Sequence, residues 1–289
     1  MTDLPPALTE RARSFAAGEL ADKDVAAPRN AATVVLLRDA AAPAGRVIEV
    51  YLLRRVGSMA FAAGMHVFPG GSVDPRDVER SVGWAGPDPS WWAGRLGCDE
   101  RMARALVCAA VRETFEESGV LLAGPAEGRV VADTSGDDWE ADRLALLDRS
   151  LSLADLMARR RLVVRTDLLR PWAHWVTPEF EPRRFDTRFF VAAVPTGQRT
   201  RDVGGEADRV AWLPVGEGVR GYDAGEVPML PPTIVTLREL TAYDDVAAVL
   251  ASTPAINPLM PRPVLDGDDL RLVVDVDGGQ VPADRAART

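Results

Sequence analysis

The amino-acid sequence predicts an α/β protein of the α+β type, with helices on both faces of a mixed sheet. Apolar segments of strand length alternate irregularly with helical segments. This pattern does not fit the regular strand–helix alternation of a doubly wound parallel sheet. In addition, a short Ala/Pro/Gly-rich turn separates the first two strand-like segments, which indicates a β-hairpin.

The N-terminal half supplies the hairpin and one long helix. Residues 1–30 are polar, with a short helix predicted at 7–20. Strands are predicted at 32–37, 47–53 and 65–68. Residues 72–100 are rich in Gly, Pro and Trp, and they are interpreted as an insertion with a small apolar cluster of its own. A helix is predicted from Asp99, a candidate N-cap, to Ser118, with Gly119 at its C-terminal end.

The C-terminal half continues the sheet and its covering helices. Residues 138–160 are predicted to be helical in two pieces, because Ser150 to Ser152 can interrupt the helix. Further strands are predicted at 171–177, 188–194, 210–213 and 270–276, and further helices at 233–240 and 244–250. We therefore expect a single domain over residues 31–289, with a helical C-terminal part at about 214–252.

Composition excludes several classes of function. A net charge of -9 and a pI near 4.9 argue against duplex nucleic acid or an anionic membrane as the main partner. The sequence has no apolar run of the ~18 residues needed for a membrane helix, and its N-terminus does not resemble a signal peptide. We expect a cytoplasmic protein with Cys98 and Cys108 reduced. The only lysine, Lys23, lies outside any Walker-type phosphate loop.

The predicted helix at 99–118 separates into an acidic face and an apolar face at about 100° per residue. Glu113, Glu116 and Glu117 fall within an arc of about 100°. Apolar residues of the same turns fall on the opposite side and are expected to pack on the sheet: Val107, Cys108, Val111 and Phe115. Arg112 precedes Glu116 by four residues, so the two side chains can pair.

Glu113 and Glu117 are then left to converge on one point. A hard divalent cation would offset their repulsion, because Mg2+ prefers carboxylate oxygens. A solvated acidic helix face is the alternative interpretation. The only histidines, His66 and His174, lie on separate predicted strands, which argues against a histidine-rich zinc site.

These residues resemble the box of the Nudix hydrolases. The family's box reads Gly, five residues, Glu, seven residues, and then Arg-Glu-apolar-x-Glu-Glu-x-Gly-apolar. Its second half is found here at residues 112–120, RETFEESGV, with Thr114 where an aliphatic residue is usual. Its first half is found as Pro69-Gly70-Gly71. The resemblance covers about residues 31–240 and implies an α/β/α sandwich around a mixed sheet.

The spacing between the two halves departs from the family. Arg112 lies 41 positions after Gly71 (112 − 71), and the extra residues fall in the long insertion inside the box. Arg104 stands where the isolated Glu is expected, eight positions before Arg112. Candidates for the missing acid are Asp74, Asp99 and Glu100. The insertion and the segments 59–71, 172–178 and 183–190 are similar to the branch that contains the peroxisomal coenzyme A diphosphatases of mammals.

The resemblance implies a metal-dependent site that uses Mg2+ or Mn2+. Glu113, Glu116, Glu117 and the Gly71 carbonyl are its expected ligands. The cation would orient the diphosphate and activate a water molecule. Expected catalytic residues are Arg112, Glu113, Glu116, Glu117 and Glu206. The base that takes the proton from water is expected to be Glu113, Glu117 or a loop acid such as Glu206.

Arginines suited to bidentate phosphate binding are Arg54, Arg55, Arg183 and Arg184. Surface solubility or structural ion pairing is the alternative role for each of them. The expected partner is a small nucleotide diphosphate, and a homodimer is a further expectation.

Three functions are compatible with this sequence. The first is hydrolysis of coenzyme A or acyl-coenzyme A, which releases a phosphopantetheine and 3',5'-ADP. The second is hydrolysis of another nucleotide such as NADH, ADP-ribose or a dinucleoside polyphosphate. The third is a catalytically weak Nudix-fold domain that binds nucleotides, which the arginine at position 104 keeps open.

Overall fold

The computed structural model describes residues 6–19, 25–42, 45–56, 64–78, 82–126, 128–201, 207–267, 269–276 and 279–286. Its strands are β1 (Arg29–Ala42), β2 (Gly45–Arg55), β3 (His66–Val67), β4 (Gly70–Ser72), β5 (Trp84–Ala85), β6 (Ala123–Gly124), β7 (Val163–Arg165), β8 (Arg170–Val176), β9 (Phe185–Ala193), β10 (Ala207–Pro214), β11 (Pro258–Leu259), β12 (Arg262–Asp266), β13 (Asp269–Val276) and β14 (Gly279–Pro282). Its α-helices are α1 (Pro6–Ala16), α2 (Pro89–Leu96), α3 (Glu100–Ser118), α4 (Asp137–Leu147), α5 (Leu153–Arg160), α6 (Val215–Asp223), α7 (Pro231–Leu240) and α8 (Val246–Ala251). Short 3-10 helices lie at Pro75–Val78, Thr166–Leu168 and Ala283–Arg285.

The main sheet is mixed, as the sequence predicts. Its order is β10-β2-β1-β9-β8-β11, with β3 added beside β2 and β4 beside β1. The predicted hairpin is confirmed, because β1 and β2 pair antiparallel around the turn. Strands β1 and β9 run parallel. The first half of β1 therefore lies between β4 and β9, and this position brings the Gly70–Gly71 pair into the sheet.

Alternation along β1 divides the buried side chains between two cores. Val34 and Leu36 point to the core that contains α3, whereas Val35 and Leu37 point to the core that contains α7 and α8. The apolar side of α3 is buried against the first face, as predicted from its periodicity. Helices thus cover both faces, and the α/β/α sandwich is confirmed.

The ends of α3 are set by its sequence. The Asp99 side chain accepts a hydrogen bond from the Met102 N–H at 2.7 Å, which caps the N-terminus. Gly119 ends the helix with a φ of 74°, a left-handed conformation that glycine adopts without strain. Both predicted boundaries are confirmed.

The interruption predicted at Ser150 to Ser152 is also confirmed, because α4 ends at Leu147 and α5 begins at Leu153. Ser152 caps α5, and its side chain and that of Asp155 form a reciprocal capping box.

The described apolar side chains of the insertion join the main core, so the prediction of a separate cluster is wrong. Trp92 is fully buried in the core that contains α3, and Trp84 packs against the same core. Helix α2 presents Trp92 to Phe190 of the sheet, with ring centroids 5.7 Å apart. Its neighbour Trp91 is 42% exposed. The insertion is therefore part of the main core, because its tryptophans pack with the apolar side chains of α3 and of the sheet.

A small meander lies beyond the sandwich. The predicted late strand is β13, which pairs antiparallel with both β12 and β14. The sequence analysis did not predict these two partners. Within the described ranges, no helix has the length and apolar character needed to span a membrane.

Candidate functional site

The two glycines of β4 lie directly against the acidic face of α3. The Gly70 N–H donates to Glu117 Oε2 at 2.8 Å. A Cβ added at Gly71 would lie 2.5 Å from Glu113 Oε1, so any other residue here would displace this carboxylate. Segments that are 41 positions apart in the sequence (112 − 71) are therefore in contact at Glu113 and Glu117.

Arg112 is the centre of the ion pairs on this side of α3. Its Nη1 lies 2.7 Å from Glu113 Oε1 and 3.2 Å from Glu116 Oε1. Its Nη2 lies 2.9 Å from Asp77 Oδ2 and also donates to the Ser72 carbonyl at 2.9 Å. The Arg112–Glu116 pair predicted from the spacing is present. The guanidinium fixes the rotamers of the surrounding carboxylates.

Asp77 is a residue that the sequence analysis missed. It is 2% exposed, and its carboxylate accepts from both Nε and Nη2 of Arg112. Five residues separate it from Gly71, so it occupies the position of the isolated acid when the spacing is counted forward from the glycine. Counting backward from Arg112 stays within α3 and gave Arg104 instead, because the insertion separates Asp77 from this helix.

The three acids proposed for that position lie elsewhere. Asp74 pairs with Arg76 at 3.0 Å, Asp99 caps α3, and Glu100 is exposed in the first turn of α3. In the described part of the chain, none of these three makes a hydrogen bond or an ion pair with Arg112. The acid that faces Arg112 is Asp77 and none of these three.

The acidic face is buried, which contradicts the alternative of a solvated helix face. The side chains of Glu113 and Glu116 are 12% and 7% exposed. Burial raises the pKa of Glu113 to about 7 and also raises the pKa of Glu116, while the charge of Arg112 acts in the opposite direction on both. Carboxylates outnumber the single guanidinium between them, so the site has an excess of negative charge.

This excess and the type of donor atom fit a hard divalent cation. Glu113, Glu116 and Glu117 supply the carboxylates, and Gly71 lies against the first of them. In the part of the chain that the structure describes, no group of three or more His, Cys, Asp or Glu side chains is arranged to hold a metal ion. Two of the three glutamates face Arg112 and the third faces Gly70, and each carboxylate retains lone pairs that a cation can use.

Two of the arginines expected to bind phosphate lie at the end of β2. Arg54 is in register with His66 of β3, and Arg55 is in register with Ala207 of β10. Both side chains are partly buried. Glu206, the further acid expected from the sequence, lies outside the described residues.

The other two lie before β9 and differ in exposure. Arg183 is exposed. Arg184 is 7% exposed, and its guanidinium donates to the carbonyls of Thr177 at 3.0 Å and Ala26 at 2.9 Å. These contacts hold the β8–β9 turn against the segment before β1. They favour the structural alternative for Arg184.

A second polar cluster lies on β8 and β9. His174 Nε2 is 2.6 Å from Asp186 Oδ1 and 2.7 Å from Arg188 Nη1. Arg188 Nε donates to the Leu96 carbonyl at 3.0 Å, at the C-terminal end of α2. This cluster therefore holds the insertion helix on the sheet.

Comparisons with known proteins agree with this architecture. A family model described as the NUDT19 Nudix domain matches residues 99–240. The acyl-coenzyme A diphosphatase NUDT19 of Xenopus laevis is 24% identical, with 68% of this chain and 60% of the relative covered. Its Homo sapiens counterpart is 26% identical, with 70% and 62% covered. The chain thus spans 60–63% of the length of these relatives.

Among solved structures, a NUDIX hydrolase from Alicyclobacillus acidocaldarius is similar over most of the fold. The two chains are 30% identical, with a TM-score of 0.63, and the alignment covers 79% of this chain and 98% of the other.

Proposed function

The chain belongs to the Nudix hydrolase family, and on this premise we propose that it hydrolyses a phosphoanhydride bond of a nucleoside diphosphate derivative with Mg2+ or Mn2+. The resemblance to the long-insertion branch is confirmed by the family model and the relatives. One observation carries the proposal. The separated halves of the Nudix box, here residues 70–77 and 112–120, meet at Glu113 and Glu117.

Glu113, Glu116 and Glu117 would hold the cation, together with the Gly71 carbonyl. A bound Mg2+ or Mn2+ would neutralise the diphosphate and lower the pKa of a water molecule. Arg112 keeps Glu113 and Glu116 oriented through its two ion pairs.

The hydrogen bond from the Gly70 N–H orients the Glu117 carboxylate toward the same proposed cation site. Proton transfer from the attacking water is assigned to Glu113, Glu117 or Glu206. Arg54, Arg55 and Arg183 remain candidates for binding substrate phosphates.

Coenzyme A or an acyl-coenzyme A is the proposed substrate class. Support comes from the relatives named acyl-coenzyme A diphosphatase and from the resemblance of the long insertion to that branch. Hydrolysis of the diphosphate would release a phosphopantetheine and 3',5'-ADP. Cytoplasmic location and a homodimer remain predictions from the sequence.

The test is a hydrolysis screen with Mg2+ or Mn2+ over coenzyme A, acetyl-coenzyme A, NADH, ADP-ribose and diadenosine polyphosphates, with products resolved by mass. We expect release of 3',5'-ADP from coenzyme A. The Glu117→Gln enzyme should lose at least about a hundredfold in kcat, because the variant lacks a metal-binding carboxylate. Its far-UV spectrum should match the wild type.

Glu217→Gln is the matched control. It makes the same chemical change at an exposed glutamate in the first turn of α6, and activity should be unchanged. Preferred cleavage of a different nucleotide would retain the chemistry and reject coenzyme A. Full activity of the Glu117→Gln enzyme, or full activity with a chelator present, would reject the metal site.

A further inference from the structure

Arg149 follows α4 in a left-handed backbone conformation, with a φ of +65°. Its N–H donates to the Leu146 carbonyl at 3.0 Å, so it closes the C-terminal end of the helix. Glycine is preferred in this conformation, because any Cβ is sterically unfavourable there. Glycine can therefore replace this arginine without straining the backbone.

Two contacts fix this backbone beside the Nudix box. Arg143 of α4 is buried, and its Nη1 donates to the main-chain carbonyl of Glu116 at 2.8 Å. Arg76 Nη1 donates to the Arg149 carbonyl at 3.0 Å, and the same guanidinium pairs with Asp74 at 3.0 Å. The α4–α5 connection is therefore attached to both halves of the box.

The guanidinium of Arg149 extends to the surface of this region. Arg149 is exposed, and it makes no side-chain hydrogen bond within the described part of the chain. The guanidinium is thus open to a ligand, on a connection that Arg76 and Arg143 attach to both halves of the box.

We propose that Arg149 binds a phosphate group of the substrate at the rim of the Nudix box. This inference rests on the proposed function. Carboxylates predominate in the box, with Arg112 enclosed among them, so an anionic substrate needs a positive group at the rim. A guanidinium suits this task, because it can bind two phosphate oxygens at once.

Replacing Arg149 by glycine distinguishes an effect on substrate binding from an effect on the stability of the fold. Arg149→Gly removes the guanidinium and supplies the residue that the backbone conformation favours. We expect the KM for coenzyme A to rise about tenfold, from the loss of a charge-assisted contact. The midpoint of thermal unfolding should stay the same or increase. Calorimetric binding of coenzyme A to Glu117→Gln protein should weaken by a similar factor when Arg149→Gly is added.

Arg161→Gly is the matched control. Arg161 ends α5 with a φ of +56° and is also exposed, so its replacement makes the same change in another helix cap. Its KM and coenzyme A affinity should equal those of the reference protein. An Arg149→Gly enzyme with unchanged KM and affinity would overturn the proposal, and so would equal losses in the two variants.

Two phosphate sources are separated by comparing coenzyme A with its 3'-dephospho form. Equal increases in KM for both substrates would assign Arg149 to the diphosphate. An increase confined to coenzyme A would assign it to the 3'-phosphate.

Failure of the wild-type enzyme to hydrolyse any nucleotide would reject the proposed function. In that case the calorimetric comparison still decides on Arg149, and an absence of coenzyme A binding to the Glu117→Gln protein would reject its role.

Discussion

Arg112 has a structural task that its position in a motif does not reveal. It is 8% exposed and contacts Asp77, Glu113 and Glu116 within 3.2 Å. A buried guanidinium is tolerated only when partners compensate its charge. Asp77 meets this need on the side away from the glutamates. Arg112 therefore has one charged partner that is not among the proposed metal ligands.

Asp77→Asn tests whether Asp77 stabilises the fold by compensating the buried charge of Arg112. The variant keeps the shape of the side chain and removes the charge that faces Arg112. The free energy of unfolding should fall by about 3 kcal/mol, as is typical when one partner of a buried ion pair is lost. Urea unfolding followed by circular dichroism measures the change.

Asp77→Glu is the control, because it retains the charge and restores the acid usual in the family's box. It should recover most of the lost stability. If Asp77→Asn unfolds at the same urea concentration as the wild type, the pair has no structural importance.

At the level of elements, the insertion contributes to the core through α2. Asp88 caps this helix, Pro89 occupies its first turn, and Gly97 ends it in a left-handed conformation. These local signals form a helix whose buried face carries Trp92. Arg188 satisfies the carbonyl of Leu96 at its C-terminal end. The insertion is therefore a fixed part of the sandwich.

Adjacent tryptophans allow a direct test of this packing. Trp92→Ala should lower the free energy of unfolding by about 3 kcal/mol or more, because it leaves a cavity in the core. Trp91→Ala removes the same side chain from a position that is 42% exposed, and its effect should stay below about 1 kcal/mol. Chemical denaturation of both variants provides the comparison. Similar small effects in the two would show that α2 is not docked.

For the whole molecule, the sheet separates two cores, and the box lies at the edge of one of them. Strand β4 is paired with β1, and α3 packs on the same face. The position of Glu113 relative to Gly71 therefore depends on the packing of the entire first layer. A ligand at this place is coupled to global unfolding, because the site exists only in the folded chain.

Divalent metal should accordingly stabilise the whole protein. At a Mg2+ or Mn2+ concentration of about 100 times its Kd, the free energy of unfolding should rise by about 2.7 kcal/mol. Thermal unfolding with added metal and with chelator measures this shift. The shift should be absent from the Glu117→Gln protein, and an equal shift there would place the metal elsewhere.

The sequence by itself determined the main strands of the sheet, the boundaries of α3 and the face of α3 that carries the acids. Asp99, Gly119 and Ser152 are local capping signals, and they set helix ends without reference to distant residues. The hairpin and the two-core alternation of β1 also follow from local periodicity. The acidic motif is continuous in the chain, so the resemblance it carries could be recognised from sequence.

Only the tertiary structure decided which distant groups meet. Asp77 pairs with Arg112 across the insertion, Trp92 enters the main core, and Arg184 is occupied by main-chain carbonyls. Sequence spacing does not predict which residues meet when an insertion separates the two segments that are in contact. Burial and pairing depend on packing between layers, and local periodicity contains no information about which layer an inserted segment joins.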